Sequence, residues 1–225
     1  MAIQAALFDC DGTILDSMPM WVNVLLELLE SYDVENKREL ADSVEHLNVR
    51  ESLEVFAEMP EINDDVDSMY ERLTTLVRNG YKKRVKPMPG IDGLLNQLKD
   101  AGIPMGVVSS TPAQLVEEAL IHHNYRDYFA FVLSTEDIGK DKTHPDIYEK
   151  GLELLGVSKR TCWVFEDAPF AAKTATEAGF PVISLLNDHD GRDPELMKEY
   201  SDILVRDSYE AINLSIIEDY KLPKV

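Results

Sequence analysis

From residue 87 to residue 205, short apolar runs alternate with longer segments in which apolar residues recur every three to four positions. The short runs predict buried strands, and the longer repeat predicts amphipathic helices that pack through one face. The predicted strands cover 103–108, 129–133, 161–165, 182–186 and 203–205, and the predicted helices cover 92–101, 112–123, 145–155 and 169–178. Because helix-length segments separate the strands, the pattern indicates βαβ units and a mainly parallel sheet.

Residues 17–86 have a different pattern, with helical segments at 20–31, 50–59 and 66–83 and no convincing strand. Connections in βαβ units are normally far shorter, so this stretch is predicted to be an inserted domain, called the helical insert below. Residues 1–16 and 87–225 would form the core, with Pro87-Met88-Pro89-Gly90 as the return hinge. The predicted fold class is therefore α/β: a Rossmann-like three-layer core with a parallel sheet, plus an inserted α-helical domain that covers one sheet edge as a lid.

The 225 residues carry 42 acidic and 22 basic side chains, for a formal net charge of −20 at pH 7. Nucleic-acid phosphates are bound by Lys and Arg, so this balance argues against such a partner, although a local cation can still hold a small phosphorylated metabolite. The two cysteines, Cys10 and Cys162, lie in apolar runs, which suits reduced, buried thiols. No apolar run approaches the roughly 18 residues of a membrane helix, and the N-terminus lacks the features of a signal peptide. We expect a cytoplasmic protein without a membrane or nucleic-acid partner, and its oligomeric state stays open.

The first predicted strand, at residues 5–8, ends in Asp9-Cys10-Asp11-Gly12-Thr13. Ligands of open α/β sheets bind outside the carboxyl ends of the strands. Two carboxylates this close repel each other unless a cation or a shared proton compensates. The spacing therefore predicts either a metal site or an acid paired with a nucleophile, such as a carboxylate that forms an aspartyl-phosphate. An exposed turn is the alternative interpretation.

Two further polar positions follow predicted core elements. Ser109 and Ser110 end the strand at 103–108, where hydroxyl and backbone N–H groups can hold a phosphate oxygen. The same Ser-Ser-Thr-Pro segment is also a common helix start, with Thr111 as the expected N-cap of a helix that begins at Pro112. Lys142 precedes the helix at 145–155 and can neutralise a nucleophile and a phosphate, whereas its alternative is a surface lysine.

Glu166 and Asp167 follow the apolar run Trp163-Val164-Phe165. Paired carboxylates at the end of a buried strand are costly unless they meet a cation. A few hard oxygen ligands, used together with substrate phosphate and water, indicate Mg²⁺. In the helical insert, Arg50 at a helix start is a candidate for binding a second anionic or hydroxyl group of a substrate, or is a solvated arginine. Trp21 is expected in the core of the insert, or facing a substrate.

These segments, taken in order, resemble the four motifs of the haloacid dehalogenase superfamily of phosphohydrolases, over essentially the whole chain. The segments are Asp9-Cys10-Asp11-Gly12-Thr13, Ser109 after Gly106-Val107-Val108, Lys142-Thr143-His144-Pro145-Asp146, and Phe165-Glu166-Asp167-Ala168 followed by Ala178-Gly179. The helical insert resembles the helical cap of members that include phosphoglycolate phosphatase and β-phosphoglucomutase relatives.

The resemblance implies a role for each matched position. Asp9 would be the nucleophile and a Mg²⁺ ligand, and Asp11 the general acid/base that also lends its backbone carbonyl to the metal. Ser109 and Lys142 would bind the transferring phosphate. Asp167 would complete the metal site, with Glu166 as a more distant or water-mediated ligand.

Three positions refine what the resemblance implies. Asp11 favours phosphoryl transfer, since the dehalogenases of the superfamily lack a carboxylate there. Ala168 and Ala171 stand where many relatives have Ser and Gly, and Trp21 stands where the phosphoglucomutases usually carry His. The sequence thus predicts a Mg²⁺-dependent phosphatase of a small phosphorylated metabolite, such as a sugar phosphate, acting through an aspartyl-phosphate on Asp9. A phosphomutase and a non-catalytic binding module are the alternatives.

Overall fold

The computed structural model describes residues 3–187 and 191–222. The strands are β1 (Ala5–Phe8), β2 (Leu15–Asp16), β3 (Lys86–Pro87), β4 (Met105–Ser109), β5 (Val132–Ser134), β6 (Cys162–Glu166), β7 (Val182–Leu186) and β8 (Ile203–Arg206). The helices of the insert are α1 (Met18–Glu30), α2 (Lys37–Ser43), α3 (Val49–Ala57) and α4 (Val66–Lys83). The remaining helices are α5 (Ile91–Asp100), α6 (Ala113–His122), α7 (Thr135–Ile138), α8 (Asp146–Leu155), α9 (Pro169–Glu177), α10 (Pro194–Glu199) and α11 (Leu214–Asp219).

Six strands form one parallel sheet in the order β5-β4-β1-β6-β7-β8. Alternate residues of β1 enter two separate apolar clusters, with Phe8 in one and Leu7 in the other. Because successive side chains of a strand point to opposite faces, the sheet is covered on both sides. This arrangement confirms the predicted α/β core with a parallel sheet.

The register of the sheet brings the ends of its central strands together. Phe8 pairs with Val107 on one side and with Phe165 on the other, and the Phe8 and Phe165 rings stack at 4.1 Å. The residues that follow these positions, including Asp9 and Glu166, therefore emerge at the same edge. This edge is where an open parallel sheet binds ligands.

The helical insert joins the core through two short strands. β2 and β3 pair antiparallel, with Leu15 opposite Pro87 and Asp16 opposite Lys86. Between them, α1 packs on α4 and α2, and α3 packs on α4. Leu28, Phe56 and Val77 are fully buried, so the insert has an apolar interior that continues into the cluster beneath the sheet.

Three local predictions were wrong. The helix α2 was missed because only Ala41 of its residues is buried, which leaves no apolar repeat to detect. The strand predicted at 129–133 is β5, at Val132–Ser134, because a turn of 3₁₀-helix at Arg126–Tyr128 occupies the preceding residues. Helix α6 begins at Ala113 with Pro112 at the N-cap position, so Thr111 does not cap it.

Cys10 and Cys162 are buried free thiols. Within the described ranges, no helix combines the length and the hydropathy needed to cross a membrane.

Candidate active site

Four buried side chains at the ends of the central strands, Asp9, Lys142, Glu166 and Asp167, form what we call the strand-tip cluster. Asp9 follows β1, Glu166 ends β6 and is followed by Asp167, and the segment before α8 supplies Lys142. All four line one cavity of about 990 Å³ that lies between the sheet edge and the helical insert. The predicted residues from three motifs therefore meet in one place.

Lys142 is the cation of the strand-tip cluster. Its Nζ lies 2.5 Å from Asp9 Oδ1 and 2.6 Å from Glu166 Oε1, and Tyr148 donates its hydroxyl to the same Glu166 oxygen at 2.8 Å. Burial acts to lower the pKa of Lys142, but the carboxylates of Asp9 and Glu166 outweigh burial and raise that pKa above its usual value. Lys142 is thus a permanent positive charge beside Asp9.

Three carboxylates of the cluster lie close to one another. Burial raises the pKa of Asp9 to about 7. The charges of Glu166 and Asp11 also raise this pKa, whereas Lys142 lowers it. Glu166 Oε2 is buried and has no hydrogen-bond partner among the described residues. One oxygen from each of Asp9, Glu166 and Asp167 lies within 4.8 Å of the others. Three converging carboxylates with an unpaired oxygen fit a hard divalent cation.

Asp11 faces the same cavity but belongs to a different set of contacts. Its Oδ1 accepts hydrogen bonds from Ser17 Oγ at 2.5 Å and from the Tyr81 hydroxyl at 2.7 Å. Its Oδ2 accepts from Thr111 Oγ1 at 2.8 Å, which gives Thr111 a role that the helix-capping prediction did not include. Since Asp11 points its carboxylate at hydroxyl groups, it is separated from the three carboxylates that could hold a metal ion.

Gly12 explains how Asp11 and Asp167 fit together. Its φ of +83° lies in the left-handed region, and a Cβ at this position would stand 2.3 Å from Asp167 Oδ2. Both the backbone conformation and the close contact with Asp167 exclude a residue with a side chain at this position. The turn after β1 therefore needs glycine to bring the backbone against Asp167.

Ser109 and Ser110 close the cavity beside Asp9. Ser109 is buried at the end of β4, and its Oγ accepts from the Thr111 backbone N–H at 3.1 Å. Ser110 is half-buried and lines the same wall. The structure thus brings both predicted phosphate-binding serines to the strand-tip cluster.

Arg50 lies elsewhere. Its guanidinium donates to Asp67 at 3.0 Å and lies over the Tyr70 ring, 5.1 Å from the ring centre. Arg50 is not among the described residues that line the cavity. The structure does not bring it together with the other predicted site residues.

Trp21 and Arg192 are two further large side chains that line the cavity. The Trp21 side chain is 8% exposed, and its indole N–H has no partner among the described residues. Arg192, which the sequence did not single out, donates to Asp167 Oδ2 at 3.0 Å and pairs with Glu45 of the helical insert. Burial lowers the pKa of Arg192 to about 10, so it stays charged at neutral pH. Its Nε–H is buried without a partner in the described part of the chain.

Comparison with known proteins identifies the family of the chain and several relatives. Residues 6–185 match the family model described as haloacid dehalogenase-like hydrolase. Over 190 residues, the chain is 27% identical to the phosphorylated carbohydrates phosphatase of Thermotoga maritima. This alignment covers 83% of this chain and 88% of that protein. It is 29% identical over 171 residues to hexitol phosphatase B of Escherichia coli K12, covering 74% of this chain and 76% of the relative.

Solved structures share the same fold. The crystal structure of CbbY from Rhodobacter sphaeroides with phosphate superposes with a TM-score of 0.82 at 22% identity, covering 95% of this chain and 98% of that one. The crystal structure of a proposed beta-phosphoglucomutase from Thermotoga maritima superposes with a TM-score of 0.73 at 24% identity. The match covers 97% of this chain and 100% of that one. The chain belongs to the haloacid dehalogenase-like hydrolase family, which confirms the resemblance found in the sequence.

Proposed function

From this membership, we propose that the protein is a Mg²⁺-dependent phosphatase of a small phosphorylated sugar or sugar alcohol, and that it acts through an aspartyl-phosphate on Asp9. One observation carries the proposal. The buried Asp9 carboxylate lies 2.5 Å from a lysine and opens into a cavity that Asp11 also lines. Groups that can serve as nucleophile, as cation for the phosphate and as acid/base are therefore present in one cavity.

The reaction has two steps. In the first, a carboxylate oxygen of Asp9 forms a bond to phosphorus while the bond from phosphorus to the leaving oxygen breaks, and Asp11 gives that oxygen a proton. In the second, Asp11 takes a proton from water, whose oxygen attacks phosphorus and releases phosphate from Asp9. Lys142 and Ser109 would hold the phosphate oxygens in both steps.

Mg²⁺ suits the carboxylates of Asp9, Asp167 and Glu166, together with the backbone carbonyl of Asp11 that the family uses. When bound, the ion supplies positive charge that lets an anionic nucleophile approach an anionic phosphate. Its preference for oxygen ligands agrees with the residues at this edge of the sheet.

Two side chains that line the cavity support a polyhydroxylated substrate. The indole N–H of Trp21 and the Nε–H of Arg192 are both buried without a partner among the described residues. A buried donor left unpaired costs about 1–3 kcal/mol, so a ligand that offers oxygen atoms to both would be favoured. The hydroxyl groups of a sugar or sugar alcohol supply such oxygens, which agrees with the carbohydrate and hexitol phosphatases among the relatives.

The proposal includes a cytoplasmic location and no nucleic-acid partner. The two buried free thiols agree with a reducing compartment, and the net charge of −20 disfavours phosphate backbones.

The test is phosphate release with and without Mg²⁺ across hexose and hexitol phosphates, including β-glucose 1-phosphate with glucose 6-phosphate formation followed in parallel. We expect Mg²⁺-dependent release from a few related esters, and none from Asp9→Asn. Isomerised sugar phosphate without release would establish the phosphomutase alternative. The absence of either product would favour a binding module and contradict the proposal.

A further inference from the structure

Asp11 accepts hydrogen bonds from hydroxyl groups that belong to three different parts of the molecule. Ser17 follows the hinge strand β2, and Thr111 lies in the core between β4 and α6. Tyr81 lies in α4 of the helical insert, 70 residues from Asp11 in sequence. Tyr81 is therefore supplied by a helix of the insert, whereas Ser17 stands at the junction between the insert and the core.

The two oxygens of Asp11 are not equally occupied. A carboxylate offers about four lone-pair sites. Oδ1 accepts from both Ser17 and Tyr81, whereas Oδ2 accepts only from Thr111 among the described residues. Oδ2 is therefore the oxygen with room to exchange a proton with a leaving group or water, and the Tyr81 bond fixes the opposite oxygen.

Tyr81 is fixed to the helical insert. The side chain is 2% exposed, and the neighbouring Gly80 packs against Met20 of α1 so closely that a Cβ would lie 2.5 Å from its side chain. The same helix is held to the core by Arg78, which donates to Glu118 at 2.7 Å, and by Tyr70, which donates to Glu136 at 3.1 Å. If α4 moved away from the core, Asp11 would lose the Tyr81 bond and keep that of Thr111.

We propose that Tyr81 is a positioning residue through which the helical insert orients Asp11 to protonate the leaving group. The inference rests on the proposed function, because it assigns Tyr81 a part in the first step of that reaction. Full orientation of Asp11 then requires the insert to be seated on the core. Proton donation would thereby be linked to closure over a bound substrate.

The test compares two leaving groups in the Tyr81→Phe variant, which keeps the ring and removes the hydroxyl. p-Nitrophenolate leaves without a proton, whereas the alkoxide of a sugar phosphate needs one. We expect kcat/KM for the hexose or hexitol phosphate that the wild type hydrolyses best to fall about ten-fold further than kcat/KM for p-nitrophenyl phosphate. kcat/KM is used because it reports steps up to phosphoryl transfer and excludes the later breakdown of the intermediate.

Tyr125→Phe is the matched control, since the Tyr125 hydroxyl donates to Asp92 at the same 2.7 Å but away from the cavity. It should leave the ratio of the two kcat/KM values unchanged. Arg78→Ala removes the contact between α4 and Glu118 and tests the same inference through the helix. It should lower kcat/KM for the sugar or hexitol phosphate relative to that for p-nitrophenyl phosphate, by a smaller factor than Tyr81→Phe does. Equal losses on both substrates in Tyr81→Phe, or no loss, would overturn the inference. A wild type with no phosphatase activity would instead overturn the proposed function.

Discussion

Two parts of the cavity lining are built in different ways. The strand-tip cluster stands at the ends of β1 and β6, whose residues are all buried and whose register fixes each following side chain. The rest of the lining comes from helices and loops of the insert and from the segment around Arg192, which also contacts Asp167. In the proposed reaction, the strand-tip cluster would meet the phosphate of any ester, and the rest of the lining would distinguish one leaving group from another.

The charged side chains of the strand-tip cluster and those of the helical insert differ in burial. Lys142 is 3% exposed and bonds the buried carboxylates of Asp9 and Glu166, whereas the Arg50 and Asp67 side chains of the insert are 47% and 81% exposed. Breaking a buried pair leaves a charge without compensation, while an exposed pair contributes about 0–1 kcal/mol. Substitution of Lys142 should therefore affect both activity and stability, whereas substitution of an exposed charge of the insert should affect neither strongly.

The largest effect is expected from Asp9→Asn. The amide keeps the size of the side chain but cannot form the aspartyl-phosphate, so turnover should fall by roughly 10³-fold or more. The fold should remain intact, because removing one of three clustered carboxylates also reduces the repulsion among them. Phosphate release and circular dichroism measure the two quantities, and a variant with near-normal turnover would remove Asp9 from the mechanism.

Lys142→Met should lose both activity and stability. It leaves Asp9 and Glu166 buried without their cation, which should lower the free energy of unfolding by about 3–5 kcal/mol. Urea denaturation measures this change. Lys173→Met is the matched control, since Lys173 also lines the cavity but is half exposed, and it should cost less than about 0.5 kcal/mol. Similar values for the two variants would contradict the buried role of Lys142.

Trp21→Phe should act on substrate choice. It removes the unpaired indole N–H, so KM for the best sugar or hexitol phosphate should rise by about 5–10-fold while kcat/KM for p-nitrophenyl phosphate stays within about two-fold. Trp163→Phe controls for loss of a buried indole, because Trp163 is buried outside the cavity. If both tryptophan variants alter KM equally, Trp21 does not contact the substrate.

The smallest effect is expected from Arg50→Ala. Arg50 pairs with Asp67 on an exposed surface and is not among the described residues of the cavity, so KM should change by less than about two-fold. KM values for all good substrates measure this. A rise of ten-fold for one of them would restore Arg50 as a substrate-binding residue and require the helical insert to move.

The carboxylates of the strand-tip cluster could be predicted because each is tied to a local signal, whereas Lys142 depended on the family resemblance. Asp9 directly follows an apolar strand and Glu166 ends one, and strand ends of a parallel sheet share one edge. The contacts across the cavity had no such signal. Tyr81 lies 70 residues from Asp11 and reads as one more apolar position of α4.

Arg192 illustrates the other limit of the sequence. Gly-Arg-Asp-Pro between a strand and a helix has the composition of an exposed loop, yet the side chain is 7% exposed between Asp167 and Glu45. Its burial depends on how the core and the insert face each other. No local pattern encodes that arrangement, and the same reason explains why Arg50 was a candidate and Trp21 had two interpretations.

The most direct test of the central claim is a burst experiment on Asp11→Asn with p-nitrophenyl phosphate. This substrate needs no proton for its leaving group, so Asp9 should still be phosphorylated, while the missing base should slow hydrolysis of the aspartyl-phosphate. The account predicts a rapid release of about one p-nitrophenolate per protein molecule, followed by slow turnover, and no burst when Asp9→Asn is added. Slow linear release without a burst, or a burst that survives Asp9→Asn, would contradict it.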